Sequence, residues 1–145
     1  MKVLILYESR FGNGKKLCEQ LKELFISKGH DAETCSVLDT GPGKLPEADF
    51  YVFSAPTRMF MLAPAMKSFL KNFKPSKEGS KYALMTTYLN PQVKALANME
   101  KLLKPKNMVK VTNGFTVKVL GTEGPMEDGY GQKLEEFADK IIEVL

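Results

Sequence analysis

The sequence predicts an α/β domain in which a parallel sheet of five strands is covered by helices on both faces. Three observations predict it. Short apolar runs alternate with longer segments of helical period along the whole chain. The first of these runs, Val3 to Tyr7, is apolar without interruption, as a strand buried on both faces must be. With 145 residues, the chain has the size of one domain with one sizeable core.

Each element can be justified in order. After the strand Val3 to Tyr7, residues Leu17, Leu21, Leu24 and Phe25 fall on one helical stripe, and Gly29 supplies the stop. Ala32 to Val37 reads as a weaker, edge strand before the turn-rich Asp39-Thr40-Gly41-Pro42-Gly43. Asp49 to Ser54 is the third strand. Met66, Phe69, Leu70 and Phe73 line a second helix. Tyr82 to Thr86 is the fourth strand, and Val93, Leu96, Met99 and Leu103 mark a third helix. Met108 to Val119 is long enough for a fifth strand, interrupted near Asn113-Gly114. Leu134, Phe137, Ala138, Ile141 and Leu145 give the last helix its apolar stripe. There is no repeat, low-complexity tract or linker, so residues 1–145 read as a single domain with right-handed crossovers.

Composition excludes several classes. Hydrophobic residues make up 43% and charged residues 26%, an ordinary globular mix. No apolar run approaches the roughly 20 residues that span a membrane. The first six residues run directly into Tyr7-Glu8-Ser9 without a small-residue cleavage site, which suits a buried strand better than a signal peptide. A cytoplasmic protein with no membrane partner is expected. The net charge of +4 raises nucleic acid as a partner, but the lysines are spread over nearly every segment. No basic cluster interleaves with aromatics, so no nucleic-acid partner is expected. Cys18 and Cys35 form neither a CxxC pair nor a metal-ligand cluster, and the only histidine, His30, sits in a turn-like Gly29-His30-Asp31. Both thiols read as structural, and neither a metal site nor a Ser/His or Cys/His catalytic unit is expected.

In sheets of this kind ligands bind beyond the carboxyl ends of the strands, where the strand order switches. The loops after strands one, three and four are therefore the place to look. The first, Ser9-Arg10-Phe11-Gly12-Asn13-Gly14, has two glycines that let the backbone turn tightly, so that amide N–H groups converge on an anion. The helix that follows, from about Lys15, adds its positive end, and Ser9 and Asn13 add side-chain donors. Taken alone, the same loop is equally readable as a plain polar turn. Neither GxxxxGK[ST] nor GxGxxG is present. The second loop, Ser54-Ala55-Pro56-Thr57-Arg58-Met59-Phe60, runs into four large apolar residues from Met59 to Leu62, which favours a covered ligand over a plain connection. The third is Thr86-Thr87-Tyr88-Leu89-Asn90-Pro91.

Ile5-Leu6-Tyr7, Ser9, Gly12 and Leu21 match the spacing of the flavodoxin phosphate-loop signature, and the chain resembles flavodoxins nearly end to end. Pro56-Thr57-Arg58 is similar to the ring-contacting string of tryptophan-repressor-binding-type NAD(P)H:quinone oxidoreductases. The resemblance implies a flavodoxin-like three-layer sandwich with strand order 2-1-3-4-5 and FMN as cofactor. It further implies that Ser9, Arg10, Phe11, Gly12, Asn13, Gly14 and Lys15 surround the phosphate. Pro56, Thr57 and Arg58 would meet the ring, with Met59 or Phe60 as its apolar cover. Thr86, Thr87 and Tyr88 would face its pyrimidine end. Gly14 stands where the family usually has threonine, and Cys18 where it usually has alanine. The third loop lacks the glycine-rich sequence of the quinone oxidoreductases, and the chain is too short for their extra segment.

The implied function is an FMN-binding electron-transfer protein working with redox partner proteins. Its alternatives are a two-electron flavoenzyme acting on a quinone-like small molecule and a flavin-free binding module. A phosphate-accepting receiver shares the fold but needs an acid pair after strand one and an aspartate ending strand three. Glu8 alone and Phe53-Ser54 occupy those positions, so that reading fails. No residue is assigned a catalytic role. The chain's two arginines, Arg10 and Arg58, fall in the candidate loops, while Ser54 to Lys67 and Thr86 to Lys94 contain no Asp or Glu. An arginine so placed is expected to favour the reduced, anionic flavin.

Overall fold

The computed structural model describes residues 1–58, 61–90 and 93–145. Its elements are β1 (Lys2–Tyr7), α1 (Asn13–Ser27), β2 (Asp31–Ser36), β3 (Phe50–Arg58), β4 (Met61–Leu62), α2 (Pro64–Asn72) and β5 (Lys81–Tyr88). They continue through α3 (Ala95–Leu103), a short 3-10 turn at Lys104–Lys106, β6 (Val109–Lys110), β7 (Phe115–Lys118) and α4 (Tyr130–Ile142). The strands form one sheet in the order β2-β1-β3-β5-β6, with β7 also on β5 and the short β4 on β3. All the pairings on the main path are parallel, with Val3 opposite both Ala32 and Phe50, and Phe50 opposite Lys81. The order expected from the resemblance holds, with β6 and β7 together forming its fifth strand.

Period-two alternation divides the sheet's side chains between two cores, one on each face. Val3, Ile5, Val52 and Met85 pack against Leu17, Leu21 and Phe25 of α1 and Phe137 and Ile141 of α4. Leu4, Leu6, Phe53 and Leu84 pack against Met66 and Leu70 of α2 and Met99 and Leu103 of α3. Each such fully buried side chain stabilises the fold by about 1.5–3 kcal/mol relative to exposure. No helix among the described residues is long and apolar enough to cross a membrane.

Four details differ from the sequence expectation. The third strand does not stop at Ser54 but runs on through Pro56 to Arg58. Glu8 N–H donates to Ser54 O, so alternation turns the Ala55 peptide groups toward β5 and those of Pro56 toward the side where β1 has already ended. The N–H that proline lacks has no ladder partner to lose there. The extended strand then folds back on β4, with Thr57 opposite Leu62 and Arg58 opposite Met61. Phe73 lies one residue past α2 in extended backbone, because Pro75 stops the helix, yet it is fully buried with its ring edge-on to Tyr51 and Phe53. Val93 precedes α3 and Leu145 follows α4, so neither belongs to the helix it was expected to line.

The break in the fifth strand falls where the sequence suggested. β6 pairs with Lys81 and Tyr82, and β7 with Met85 to Tyr88. Between them Gly114 adopts φ 99°, and a Cβ there would stand 2.9 Å from Leu96 Cδ1. The backbone conformation favours glycine at that kink, and a side chain there would also displace Leu96.

Candidate flavin site

The carboxyl ends of β1, β3 and β5 enclose a cavity of about 430 Å³, within the range of small-molecule sites. It sits where the order switches from β1–β2 on one side to β1–β3 on the other. Of the residues singled out from sequence, Ser9, Arg10, Phe11, Asn13 and Gly14 line it from the first loop. Pro56, Thr57 and Arg58 line it from the end of β3, and Thr87 and Tyr88 from the end of β5.

The first loop has the shape of an anion cradle. Gly12 turns the chain with φ 96°, outside the range L side chains favour, and α1 begins at Asn13 with no side-chain cap. The leading N–H groups of a helix have no acceptor within it, and here Asn13 and Gly14, which carry two of them, border the cavity. The side chain of Ser9 turns inward, its Oγ accepting the Gly12 N–H at 3.2 Å. Arg10 lies over the exposed Phe11 ring at 5.7 Å. A Cβ on Gly14 would stand 3.5 Å from Glu8 O and Ser9 Cβ, an ordinary contact. Space for a Cβ therefore does not dictate glycine at this position.

Three expected positions are placed differently. Gly12 and Lys15 belong to the cradle but do not line the cavity. Thr86 is completely buried, its Oγ1 donating to Ala55 O at 2.7 Å and lying 2.9 Å from Thr57 Oγ1. Its hydroxyl ties β3 to β5 beneath the cavity and offers nothing to a ligand, whereas Thr87, on the opposite face by alternation, reaches the lining. Met59 and Phe60, the expected apolar cover, lie outside the described residues. Asn13 is at the cavity, but one N–H of its amide is held by Thr122 O at 3.1 Å.

Sequence reasoning missed Glu8, Val119 and Thr122 as lining residues and did not single out Leu89 and Asn90 within their loop. Glu8 is the consequential one. It is only 3% exposed; its Oε1 accepts the Met66 N–H in the first turn of α2 at 2.7 Å, and its Oε2 lies 3.6 Å from Arg58 Nη2. Ala63 at the start of α2 provides no side-chain cap, so a carboxylate from β1 serves a helix 58 residues away. Arg58, in a stretch free of Asp and Glu, therefore still faces a carboxylate. The opposing charge comes from the end of the first strand rather than from the loops themselves.

Cys18 is fully buried under the cradle, and desolvation pushes its thiol up to about 12, with Ser54 pulling slightly the other way. Burial also raises the half-buried Cys35. Neither has the lowered value of a reactive thiol.

These features are those of an α/β protein with a flavodoxin-type cavity, and solved structures share the fold over essentially their whole length. Oxidised Flavodoxin 2 from Bacillus cereus superposes with a TM-score of 0.85 at 19% identity, covering 100% of both chains. A flavodoxin from the domain Archaea gives 0.82 at 20% identity, covering 99% of this chain and 97% of that one. Oxidised Flavodoxin 1 from Bacillus cereus gives 0.78 at 17% identity, covering 100% and 99%. No curated protein matches the chain in sequence. Residues 4–119 match the flavodoxin domain family, and the chain belongs to that family.

Proposed function

We propose that this chain binds FMN at the ends of β1, β3 and β5 and carries electrons between redox proteins. The observation that carries the reading is the uncapped start of α1, whose Asn13 and Gly14 line a cavity of about 430 Å³. Bound FMN supplies reversible electron uptake at its ring; the protein's part is to hold, orient and enclose it.

The phosphate falls to the Asn13 and Gly14 amides at the start of α1 and the second N–H of Asn13, where dipole and donors act together. Pro56, Thr57 and Arg58 come from a strand pinned on both sides, by the Thr57–Thr86 hydroxyl pair and by the hairpin to β4, so that wall of the cavity is preorganised. Tyr88, half-buried at the end of β5, lines the same space. The Glu8 carboxylate offsets the Arg58 charge at that wall.

Anaerobic reductive titration of the purified protein tests this reading. The expected result is a flavin absorbance that bleaches with reductant, returns on addition of a one-electron acceptor, and releases FMN on denaturation. A colourless protein that takes up no added FMN would overturn it.

A further inference from the structure

The rim of the cavity carries two features that holding a cofactor does not require. The first is exposed apolar surface. Leu120, Phe11, Met61 and Leu89 are 63%, 52%, 48% and 47% exposed, and each belongs to a different segment around the same opening. Phe11 and Leu89 line the mouth, Met61 pairs with the lining residue Arg58, and Leu120 follows Val119 of the wall. Large apolar side chains gathered at one place on a surface mark an interaction site.

The second is charge set against the local preference of the helices. In a βα unit, the helix begins at the edge where the strand ends, so α1, α2 and α3 all start at the rim. None has an acidic residue in its first turn. Instead Lys15 lies in the first turn of α1, Lys67 follows that of α2, and Lys94 caps α3. A cation at a helix N-terminus is unfavourable to the dipole. All three are exposed, so their charges face solvent and a partner. Lys67 and Lys94 do not line the cavity, so the cofactor does not explain them. A local rule broken at several points on one edge is a mark of function rather than of folding. The β7 side differs, with Glu123 exposed, which concentrates the positive field over the β1, β3 and β5 loops.

We infer that this rim is the docking face for a redox protein presenting acidic side chains around an apolar contact. The inference rests on the reading of the cavity as an FMN site, since the face surrounds the route by which electrons would leave. The apolar quartet excludes water at the centre, while the lysines steer and orient the partner. A second copy of this chain is disfavoured as occupant, because it would bring lysine against lysine.

The test is nuclear magnetic resonance mapping of the isotope-labelled protein, with and without FMN. Two probes of similar size are used, an acidic b-type cytochrome and a basic c-type cytochrome. The expected result is perturbation by the acidic probe confined to the segments around Phe11, Met61, Leu89 and Leu120, fading as salt rises. Lys94→Glu should weaken this binding by roughly threefold or more, while leaving flavin affinity unchanged. Leu120→Ser, at a position already exposed, should weaken it without affecting the fold.

Binding of the basic probe at this face, concentration-dependent self-association through the same residues, or no response to the acidic probe in a protein that does bind FMN would each overturn the inference. A protein that binds the acidic probe at the rim but takes up no flavin would uphold the surface and overturn the cofactor reading.

Discussion

Replacing Glu8 separates charge from volume at the floor of the cavity. Glu8→Gln keeps a side-chain oxygen for the Met66 N–H, now 2.7 Å away, but removes the negative charge. A hydrogen bond to a charged group contributes about 1.5–3 kcal/mol and a neutral one about 0.5–1.5, a difference near 1 kcal/mol. Loss of the carboxylate at the start of α2 removes about another 0.3–1 kcal/mol of dipole interaction. The ion pair to Arg58 spans 3.6 Å, and the Arg58 side chain is about a third exposed, so solvent holds its share to about 0–1 kcal/mol. Relief of the buried carboxylate's desolvation offsets part of the total. The expected net loss is about 1–2 kcal/mol for Glu8→Gln, and about 3–4 for Glu8→Ala, which also leaves a buried amide unpaired beside a void. Urea unfolding read at constant m provides the assay, and a cycle with Arg58→Met isolates the pair. A glutamine variant as stable as the parent, beside a crippled alanine variant, would mean that Glu8 acts through its volume and its hydrogen bond to Met66 and that its charge is immaterial.

Other substitutions probe the cradle, the thiols and the far edge. Gly14→Thr has room for its Cβ and should add a hydroxyl donor to a charged phosphate, tightening FMN about tenfold or more by fluorescence titration. An equal gain for riboflavin, which lacks the phosphate, would contradict that placement. Alkylation of the native protein should reach half-buried Cys35 well before Cys18, whose thiol is fully buried and raised to about 12; mass mapping of labelled peptides settles the order. Asp49 is held below the ordinary carboxylate range, first by the Lys2 backbone N–H and then by Lys77, both at 2.9 Å. Because its folded value is lowered, it contributes stability above the unfolded carboxylate value, and that contribution disappears as pH falls through the folded one. Asp49→Asn should therefore flatten the acid limb of a stability–pH curve, and an unchanged limb would assign the acid sensitivity elsewhere.

The fold was largely legible because each parallel strand, buried on both faces, leaves an unbroken apolar run such as Val3–Tyr7, and each helix a stripe against one core. The end of β3 was not. Pro56, Thr57 and Arg58 look like a loop until the end of β1 removes the ladder partner that proline would have offended. β4 is too short for any periodic signal. At the site, Ser9, Gly12 and Asn13 were readable because a tight turn before a helix has a local signature. Glu8 was hidden because its partners, Met66 and Arg58, are remote in sequence. Its one clue was a charge directly ending a buried run. Thr122 reaches the cavity through the excursion that ties Asn13 to the far end of the sheet, and no local pattern encodes that approach.

The most direct test of the central claim is calorimetric titration of flavin-free protein with FMN and, in parallel, riboflavin. If the uncapped start of α1 holds a phosphate, FMN should bind one to one and far more tightly than riboflavin. A bulky β-branched residue in place of Gly12 should abolish that preference while leaving the weaker riboflavin binding almost unchanged. Equal affinity for the two ligands, or no binding of either by a folded protein, would contradict the assignment of this cavity.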